Sequence, residues 1–238
     1  MKIYAVAMEK GGTGKTTTAA ALSQAARFKV MKVLVVYLDP QGDLSFILGA
    51  NDSLQGSYEL LQGAAIHDTI QTTAQGLDLI ASDKNLATLT TVTGSANRLK
   101  KALEPIKEKY DAVFIDTTPT IGELYYNALN AATDIIIPLQ ADTLNLKNLT
   151  STISTARQLR PDLEHIGIIF TANSERTTIA RQMQEGIISA ATASGAVYLG
   201  DVRKCVAVKE SQAMQESLYQ YAPRCTAAVD YMAILEKI

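Results

Sequence analysis

The residues with the clearest chemical potential lie in one short run, residues 10–17, which follows an apolar stretch near the start of the chain. Glycines at Gly11, Gly12 and Gly14 let the backbone turn tightly and aim several N–H groups at one point. The segment that follows has helical spacing, so the positive end of a helix dipole would add to those N–H groups. Such a loop suits a polyphosphate.

Polar side chains in this loop can hold phosphates and a metal ion. Lys15 would neutralise the β and γ phosphates, and the hydroxyl of Thr16 is placed to coordinate Mg2+, a hard cation that prefers oxygen ligands. Thr17 could cap the helix or touch the α phosphate. We therefore expect the nucleotide to contact Gly11, Gly12, Thr13, Gly14, Lys15, Thr16 and Thr17.

Two predicted strands end in a carboxylate that could serve this nucleotide. Residues 33–38 precede Asp39, and residues 112–115 precede Asp116. In a doubly wound sheet, ligands bind at the carboxyl ends of the strands, so Asp39 would emerge beside the phosphate loop. A carboxylate at Asp116 would hold Mg2+, usually through a coordinated water.

An alternation of apolar runs and helical segments must position these residues. Strands are expected at residues 3–7, 33–38, 77–80, 112–115, 135–139 and 166–170. Helices are expected at residues 15–28, 96–109, 122–132, 144–159 and 177–193. Near-continuous apolar strands separated by amphipathic helices are typical of a parallel sheet covered on both faces. We therefore predict an α/β fold, a three-layer sandwich with a mostly parallel, doubly wound sheet.

Composition limits the class of protein further. A chain of 238 residues that is 47% hydrophobic and lacks an obvious linker or repeat is expected to form one domain, residues 1–238. The first strand begins near Lys2, so no N-terminal DNA-reading domain is expected. The formal charge of -2 excludes nucleic-acid binding through bulk positive charge, and any such contact must use a local patch.

Cysteine, histidine and hydropathy patterns exclude several other classes. Cys205 and Cys225 do not form a CxxC pair, which argues against a disulfide scaffold, a zinc site or a self-contained iron–sulfur site. His67 and His165 lack ligand spacing and are expected to be surface or loop residues. No signal-peptide pattern is present, and no apolar run approaches the roughly 18 to 20 residues of a membrane-spanning helix, so a soluble cytoplasmic protein is expected.

Residues 10–17 resemble the deviant Walker A motif, KGGxGKT[ST], of the ParA/MinD family of P-loop ATPases, which they match without a gap. The ordinary motif, GxxxxGK[ST], has Gly where this chain has Glu9. In the family, the lysine that matches Lys10 reaches across a dimer interface to the nucleotide of the partner subunit. A second cation reduces the charge that builds up on the transferring phosphoryl group, so the resemblance implies catalytic roles for Lys10 and Lys15.

The two strand-end carboxylates also resemble family motifs. Asp39 lies in a segment similar to the first switch, DxDPQGN, and by that match it orients or activates the attacking water. The chain departs from this motif at Tyr37, where the family has Asp, and at Asp43, where it has Asn. The missing carboxylate at Tyr37 bears on the rate of hydrolysis more than on nucleotide binding. Asp116 resembles the Walker B carboxylate, a metal ligand together with Thr16.

The base is expected to be adenine. Residues 171–174 stand where GTPases of the Ras type carry NKxD, and that motif is absent. Asn173 is a candidate contact for the base; the alternative is a strand-terminal Asn in a turn. ATP with Mg2+ is therefore the expected ligand.

The C-terminal part of the chain helps to distinguish MinD-like from ParA-like members of the family. Residues 227–238 are amphipathic, but they carry Asp230 and Glu236 against Lys237, so they lack the cationic face of a MinD-like membrane helix and are expected to pack on the sheet. ParA-like members bind DNA through a few basic residues. The candidates are Arg203, Lys204 and Lys209, in a stretch that resembles a late loop of the family, with Arg176, Arg181 and Arg224 as further ones.

The resemblance implies a small ParA-type ATPase for DNA partition. ATP would close a homodimer that binds double-stranded DNA without sequence preference, in the cytoplasm and on the nucleoid. A ParB-like partition partner would stimulate hydrolysis and release the DNA. Two alternatives remain open: a nucleotide-gated binding switch with little hydrolysis, suggested by Tyr37, and a MinD-like membrane-positioning ATPase.

Overall fold

The structure is a computed structural model that describes residues 1–41, 43–51, 54–91, 96–140, 143–173 and 178–238. Its strands are β1 (Lys2–Val6), β2 (Val33–Tyr37), β3 (Gln71–Thr72), β4 (Asp78–Ile80), β5 (Ala112–Asp116), β6 (Asp134–Leu139), β7 (His165–Asn173) and β8 (Val197–Arg203). In these residues they form one sheet in the order β3-β4-β2-β5-β1-β6-β7-β8. Only the β3–β4 pair of this sheet is antiparallel.

Helices cover the sheet on both faces. They are α1 (Lys15–Phe28), α2 (Asp43–Leu48), α3 (Ser57–Gln62), α4 (Ile66–Thr69), α5 (Arg98–Leu103), α6 (Glu123–Ala131), α7 (Thr143–Leu159), α8 (Thr178–Ala193), α9 (Val206–Ala213), α10 (Leu218–Tyr221) and α11 (Thr226–Leu235). Two 3-10 helices lie at Lys84–Thr91 and Glu104–Ile106.

The alternation of side chains along each strand divides the core into two layers. In β1, Ile3 and Ala5 join a cluster with α5, α6 and α7, whereas Tyr4 and Val6 join a second cluster with α1 and α11. Successive strand residues point to opposite faces, so a strand that is apolar throughout must be covered on both sides. The predicted three-layer α/β sandwich is confirmed.

The differences from the expected elements have local causes. The helix expected at residues 96–109 is broken after Leu103, because Pro105 lacks a backbone N–H and cannot continue a helix. The strands β3 and β8 were not predicted. β3 has two residues, and β8 lies at the sheet edge with Gly200 at a φ of +145°, so neither shows an apolar alternation.

The C-terminal helix α11 packs between α1 and β8. Tyr231 is 1% exposed, and its hydroxyl lies 3.2 Å from the Thr18 hydroxyl of α1. The prediction that this segment packs against the body of the fold is confirmed. Within the part of the chain that the structure describes, no helix combines the length and apolar character needed to span a membrane.

Candidate functional site

The loop between β1 and α1 has the backbone of an anion cradle. Gly12 and Gly14 adopt φ angles of +76° and +92°, which favour glycine, and Gly14 forms the N-cap of α1. A Cβ at Gly11 or Gly12 would meet no described atom within 4 Å, whereas one at Gly14 would touch Thr171 at 3.4 Å. The glycines therefore keep one side of the loop accessible while α1 directs its N-terminus toward it.

Lys15 is the buried cation of this loop. Its side chain is 7% exposed, and Nζ donates a hydrogen bond to the Lys10 carbonyl at 3.0 Å. Burial lowers the pKa of Lys15, and the negative charges of Asp116 and Asp39 oppose that shift. The structure thus brings the ammonium group within electrostatic reach of both predicted carboxylates.

Asp116 ends β5 and is fully buried. It pairs in register with Val6 of β1 and Tyr37 of β2, because β5 lies between these two strands. Neither carboxylate oxygen has a partner at hydrogen-bond geometry among the described residues, although the nearby Thr16 hydroxyl acts to lower its pKa. Burial outweighs that effect and raises the pKa of Asp116 to about 7. An unpartnered buried carboxylate beside a hydroxyl fits a hard cation such as Mg2+.

Asp39 follows β2 and is held in a fixed turn. Its Oδ1 accepts a hydrogen bond from the Gln41 N–H at 3.1 Å, and its carbonyl accepts one from the Ser82 hydroxyl at 2.6 Å. Burial raises the pKa of Asp39, while the charge of Lys15 opposes the rise. Gly42, the next residue of the predicted switch, lies outside the described residues.

Tyr37 stands where the resembling motif has a carboxylate, and the structure gives it a packing role. Its side chain is 1% exposed and belongs to the core beneath α1. Its hydroxyl interacts with the backbone of Leu44 in α2, and its carbonyl accepts a hydrogen bond from the Ser57 hydroxyl at 2.6 Å. Burial raises the pKa of Tyr37, so the side chain stays neutral. The sequence did not indicate how completely this residue is enclosed.

A cavity of about 740 Å3 opens beside the phosphate loop. Gly12, Gly14 and Thr17 line one side, and Asn173 lines the other. The two sides are joined by the Thr171 hydroxyl, which donates a hydrogen bond to the Thr13 carbonyl at 2.7 Å. This volume lies in the range of small-molecule sites, and Asn173, the candidate base contact, is among the residues that line it.

The candidate DNA contacts also border this cavity. Arg203 is engaged with Asp230 through two side-chain hydrogen bonds of 2.9 and 2.7 Å, whereas Lys204 and Lys209 are exposed. The structure therefore separates Arg203, which joins β8 to α11, from the two lysines. Of the further candidates, Arg181 and Arg224 are exposed, and Arg176 lies outside the described residues.

His165 has neighbours that the sequence spacing did not reveal. Its Nδ1 lies 2.9 Å from Asp134, and Lys2 bridges Asp134 and Glu164 at 3.3 and 2.7 Å. The parallel β6–β7 pairing places Asp134 opposite His165, a contact between distant segments that sequence spacing does not show. This group lies at the amino ends of the strands, on the opposite edge of the sheet from the phosphate loop. His165 remains exposed, as predicted, and so does His67.

Comparison with known proteins decides the family. Residues 1–166 match the AAA_31 family, described as an AAA domain. The sporulation initiation inhibitor protein Soj of Bacillus subtilis is 32% identical over 249 residues, with 100% of this chain and 98% of Soj covered. The chain belongs to the ParA/MinD family of P-loop ATPases.

Two solved structures are also similar to this chain over nearly its full length. A plasmid partition protein from Borrelia burgdorferi has a TM-score of 0.80 at 26% identity, with 99% of this chain and 96% of that chain covered. Cobyrinic acid a,c-diamide synthase from Mycobacterium smegmatis, solved with ADP and magnesium, has a TM-score of 0.80 at 30% identity, with 99% and 93% covered. The same fold thus occurs in a plasmid partition protein and in a diamide synthase, so the fold alone does not fix the function.

Proposed function

We propose that this chain is a ParA-type ATPase that partitions DNA and that uses ATP and Mg2+. The observation that carries the proposal is the convergence of Lys15, at the start of α1, with Asp39 and Asp116, at the carboxyl ends of the neighbouring strands β2 and β5. The full-length similarity to Soj supports partition as the process.

Each residue of the site has a role in this proposal. The N–H groups of residues 11–17 and the Lys15 ammonium would bind the phosphates, and Thr16 and Asp116 would hold Mg2+, which would supply charge neutralisation at the phosphates. Asp39 orients the attacking water and accepts its proton. Lys10 acts on the nucleotide of a second copy, where its charge stabilises the transferring phosphoryl group. Asn173 contacts the base.

DNA binding belongs to the dimer that ATP closes. Lys204 and Lys209 are exposed, so they can approach a phosphate backbone without breaking an ion pair. Arg203 holds Asp230 and is proposed to position this surface rather than to supply a free charge. While ATP is bound, the protein is on the nucleoid. A ParB-like partner stimulates hydrolysis, which releases the protein from the DNA.

A nucleotide-gated switch with little hydrolysis is the second candidate, and Tyr37 favours it. The enclosed phenol replaces a carboxylate of the family motif and cannot take over its charge. Steady-state turnover with Mg2+, DNA and a ParB-like partner separates the two candidates. If the turnover of the wild type is no higher than that of a Lys15→Ala control, the ATPase proposal is wrong and the nucleotide-gated switch is supported.

The DNA-binding step is tested with a random-sequence duplex at low, stated salt. We expect binding with ATP but not with ADP, weakening as salt rises, and a longer-lived complex for Asp39→Ala, which would hold ATP without hydrolysing it. A Lys204→Ala/Lys209→Ala double variant should lose DNA binding, and its ATP binding is measured on the same sample because both lysines border the cavity. If ATP closes the dimer and DNA stays free, partition through DNA binding is wrong, and anionic vesicles become the next surface to test.

A further inference from the structure

The residue at which this chain departs from the ordinary phosphate-loop motif makes contacts of its own. Glu9 stands where that motif has glycine, directly before Lys10. Its φ is not positive, so the backbone at this position does not require glycine. Residue 9 can therefore carry a side chain, and the side chain present here has a hydrogen-bond partner.

Two threonines of α7 contact Glu9, one at its backbone and one at its carboxylate. The Glu9 N–H donates a hydrogen bond to the Thr152 hydroxyl at 3.2 Å, and the Thr155 hydroxyl donates one to Glu9 Oε1 at 3.0 Å. Thr152 is 0% exposed, and Thr155 follows it by three residues, so both lie on the same face of α7. The helix α7 thus fixes the backbone and the side chain of Glu9 together.

The residues before Glu9 belong to the body of the sheet. The Ala7 N–H donates to the Ile136 carbonyl of β6 at 3.0 Å, and Met8 is 0% exposed. After Glu9 the chain enters the glycine-rich run, where a Cβ at Gly11 would meet no described atom within 4 Å. The contacts with α7 therefore lie at the junction between the sheet and the phosphate loop.

Lys10 follows Glu9 directly, so the contacts of Glu9 restrict where Lys10 can lie. The Lys10 carbonyl accepts a hydrogen bond from Lys15 Nζ at 3.0 Å. That bond uses the ammonium group that is proposed to bind the phosphates, so nucleotide would compete for it. The contacts between Glu9 and α7 use none of the proposed phosphate ligands and can persist when nucleotide is bound.

We propose that Glu9 is a positioning residue for Lys10. The hydrogen bond from the Thr155 hydroxyl to the Glu9 carboxylate fixes the start of the phosphate loop, and Lys10 is thereby presented to the nucleotide of a second copy. Glycine at residue 9 could not make this contact. The inference rests on the proposed ATPase function, and Glu9 acts in it without touching the nucleotide.

The first experiment compares turnover with nucleotide binding in variants that break or keep the contact. Glu9→Ala removes the acceptor and Thr155→Val removes the donor, whereas Glu9→Gln and Thr155→Ser keep a suitable group. We expect the two breaking variants to lower kcat by about threefold to tenfold, and to leave the Kd of a fluorescent ATP analogue within about twofold. The two conservative variants should keep most of the wild-type kcat.

Thr150 of the same helix provides a matched control. It is exposed, and its hydroxyl donates to the Leu146 carbonyl at 3.0 Å, one turn earlier in α7. Thr150→Val should therefore keep the wild-type kcat. Because Glu9→Ala and Thr155→Val break the same contact, the double variant should be no slower than the slower single variant.

A general loss of loop structure would give a different pattern. The positioning role is wrong if Glu9→Ala weakens analogue binding as much as it lowers kcat, if the two losses multiply in the double variant, or if Glu9→Gln is as slow as Glu9→Ala. Wild-type turnover no higher than that of Lys15→Ala would instead contradict the proposed ATPase function, and the role of Glu9 would fall with it.

The second experiment measures the contact without turnover. In the nucleotide-free protein, peptides that cover residues 9–14 should exchange their amide hydrogens faster in Thr155→Val than in Thr150→Val, because the Glu9 carboxylate has lost its donor. Equal exchange in these two variants would show that the contact does not fix the start of the loop, and it would overturn the inference even if kcat falls.

Discussion

At the scale of single residues, Tyr37 tests whether a strand-end position serves packing or catalysis. We expect Tyr37→Phe to cost about 1 kcal/mol in the free energy of unfolding, because it removes a hydroxyl from a buried side chain that is 1% exposed. ATP turnover should stay within about twofold of the wild type, a change of well under 1 kcal/mol in activation free energy. Urea unfolding and phosphate release measure the two effects.

A different result for Tyr37→Phe would assign Tyr37 a role in hydrolysis instead of packing. If turnover falls more than about tenfold while stability is unchanged, the phenol takes part in hydrolysis and its enclosure is incidental. Ser57→Ala is a matched control, because it removes the hydroxyl that donates to the Tyr37 carbonyl and leaves the phenol in place.

Alanine substitution of Lys10 and of Lys15 in the phosphate loop should affect nucleotide binding and turnover differently. We expect Lys15→Ala to lose nucleotide binding and to lower turnover by about 100-fold or more, because its ammonium is proposed to bind the phosphates. Lys10→Ala should still bind nucleotide and lose turnover, since Lys10 is proposed to act on the nucleotide of a second subunit. Equilibrium binding of a fluorescent ATP analogue and phosphate release distinguish the variants.

Folding of Lys15→Ala serves as the control for that comparison. Lys15 is buried and its Nζ donates to the Lys10 carbonyl, so urea unfolding must show that Lys15→Ala is folded before its nucleotide binding is compared. Equal loss of nucleotide binding in both lysine variants would contradict a role for Lys10 across the dimer interface.

At the scale of elements, the start of α3 depends on a close backbone approach. A Cβ at Gly56 would lie 2.3 Å from the Ala81 carbonyl oxygen, which accepts a hydrogen bond from the Ser57 N–H at 2.7 Å. We expect Gly56→Ala to destabilise the fold by about 2 to 3 kcal/mol, because backbone must move to relieve the overlap. Urea unfolding at equilibrium measures this cost.

Gly186 of α8 provides the opposite case. A Cβ there would meet no described atom within 4 Å, and the residue is exposed in a helix interior. Gly186→Ala should therefore stabilise the fold by up to about 1 kcal/mol. If Gly56→Ala unfolds at the same urea concentration as the wild type, α3 can shift at little cost and the close approach does not hold it.

The elements that carry the site could be predicted because their signals are local. Apart from Lys2 and Asp116 at their ends, the strands β1, β2 and β5 are apolar. A glycine-rich turn follows β1. Each of these features can be recognised from a few consecutive residues. The helix α1 was predicted with the bounds that the structure has, Lys15–Phe28. The edge strand β8 was missed, since exposure on one side removes the apolar pattern on which the prediction depends.

Features that need contact between distant segments could not be predicted in this way. The proximity of Asp116 and Lys15 follows from strand order, which a resemblance can supply but local spacing cannot. The ion pair between Arg203 and Asp230 and the enclosure of Tyr37 both depend on tertiary packing. Local sequence patterns report one element at a time.

At the scale of the whole molecule, α11 is part of the sandwich and not an appendage. Ala228 is 1% exposed, whereas its neighbour Val229 is 51% exposed. We expect Ala228→Glu to destabilise the fold by about 3 kcal/mol or more, because it buries an unpaired carboxylate, and Val229→Glu to stay within about 0.5 kcal/mol. Urea unfolding of the two variants measures the difference.

These variants also bear on the membrane alternative. A detachable membrane helix would tolerate both substitutions in solution, and Val229→Glu would reduce co-sedimentation with anionic vesicles in ATP. Equal stability of the two variants would show that α11 leaves the sandwich easily, contrary to its packing between α1 and β8.

The sheet order has a consequence for how the protein is made. β1 and β2 are not neighbours in the described sheet; β5 separates them, with Lys2 paired to Ala112. A ribosome adds about 5 to 20 residues per second, so the first two strands wait for seconds without the strand that joins them. During that time the chain lacks Asp116, the proposed Mg2+ ligand. Stabilisation by nucleotide would therefore begin only when β5 has left the ribosome.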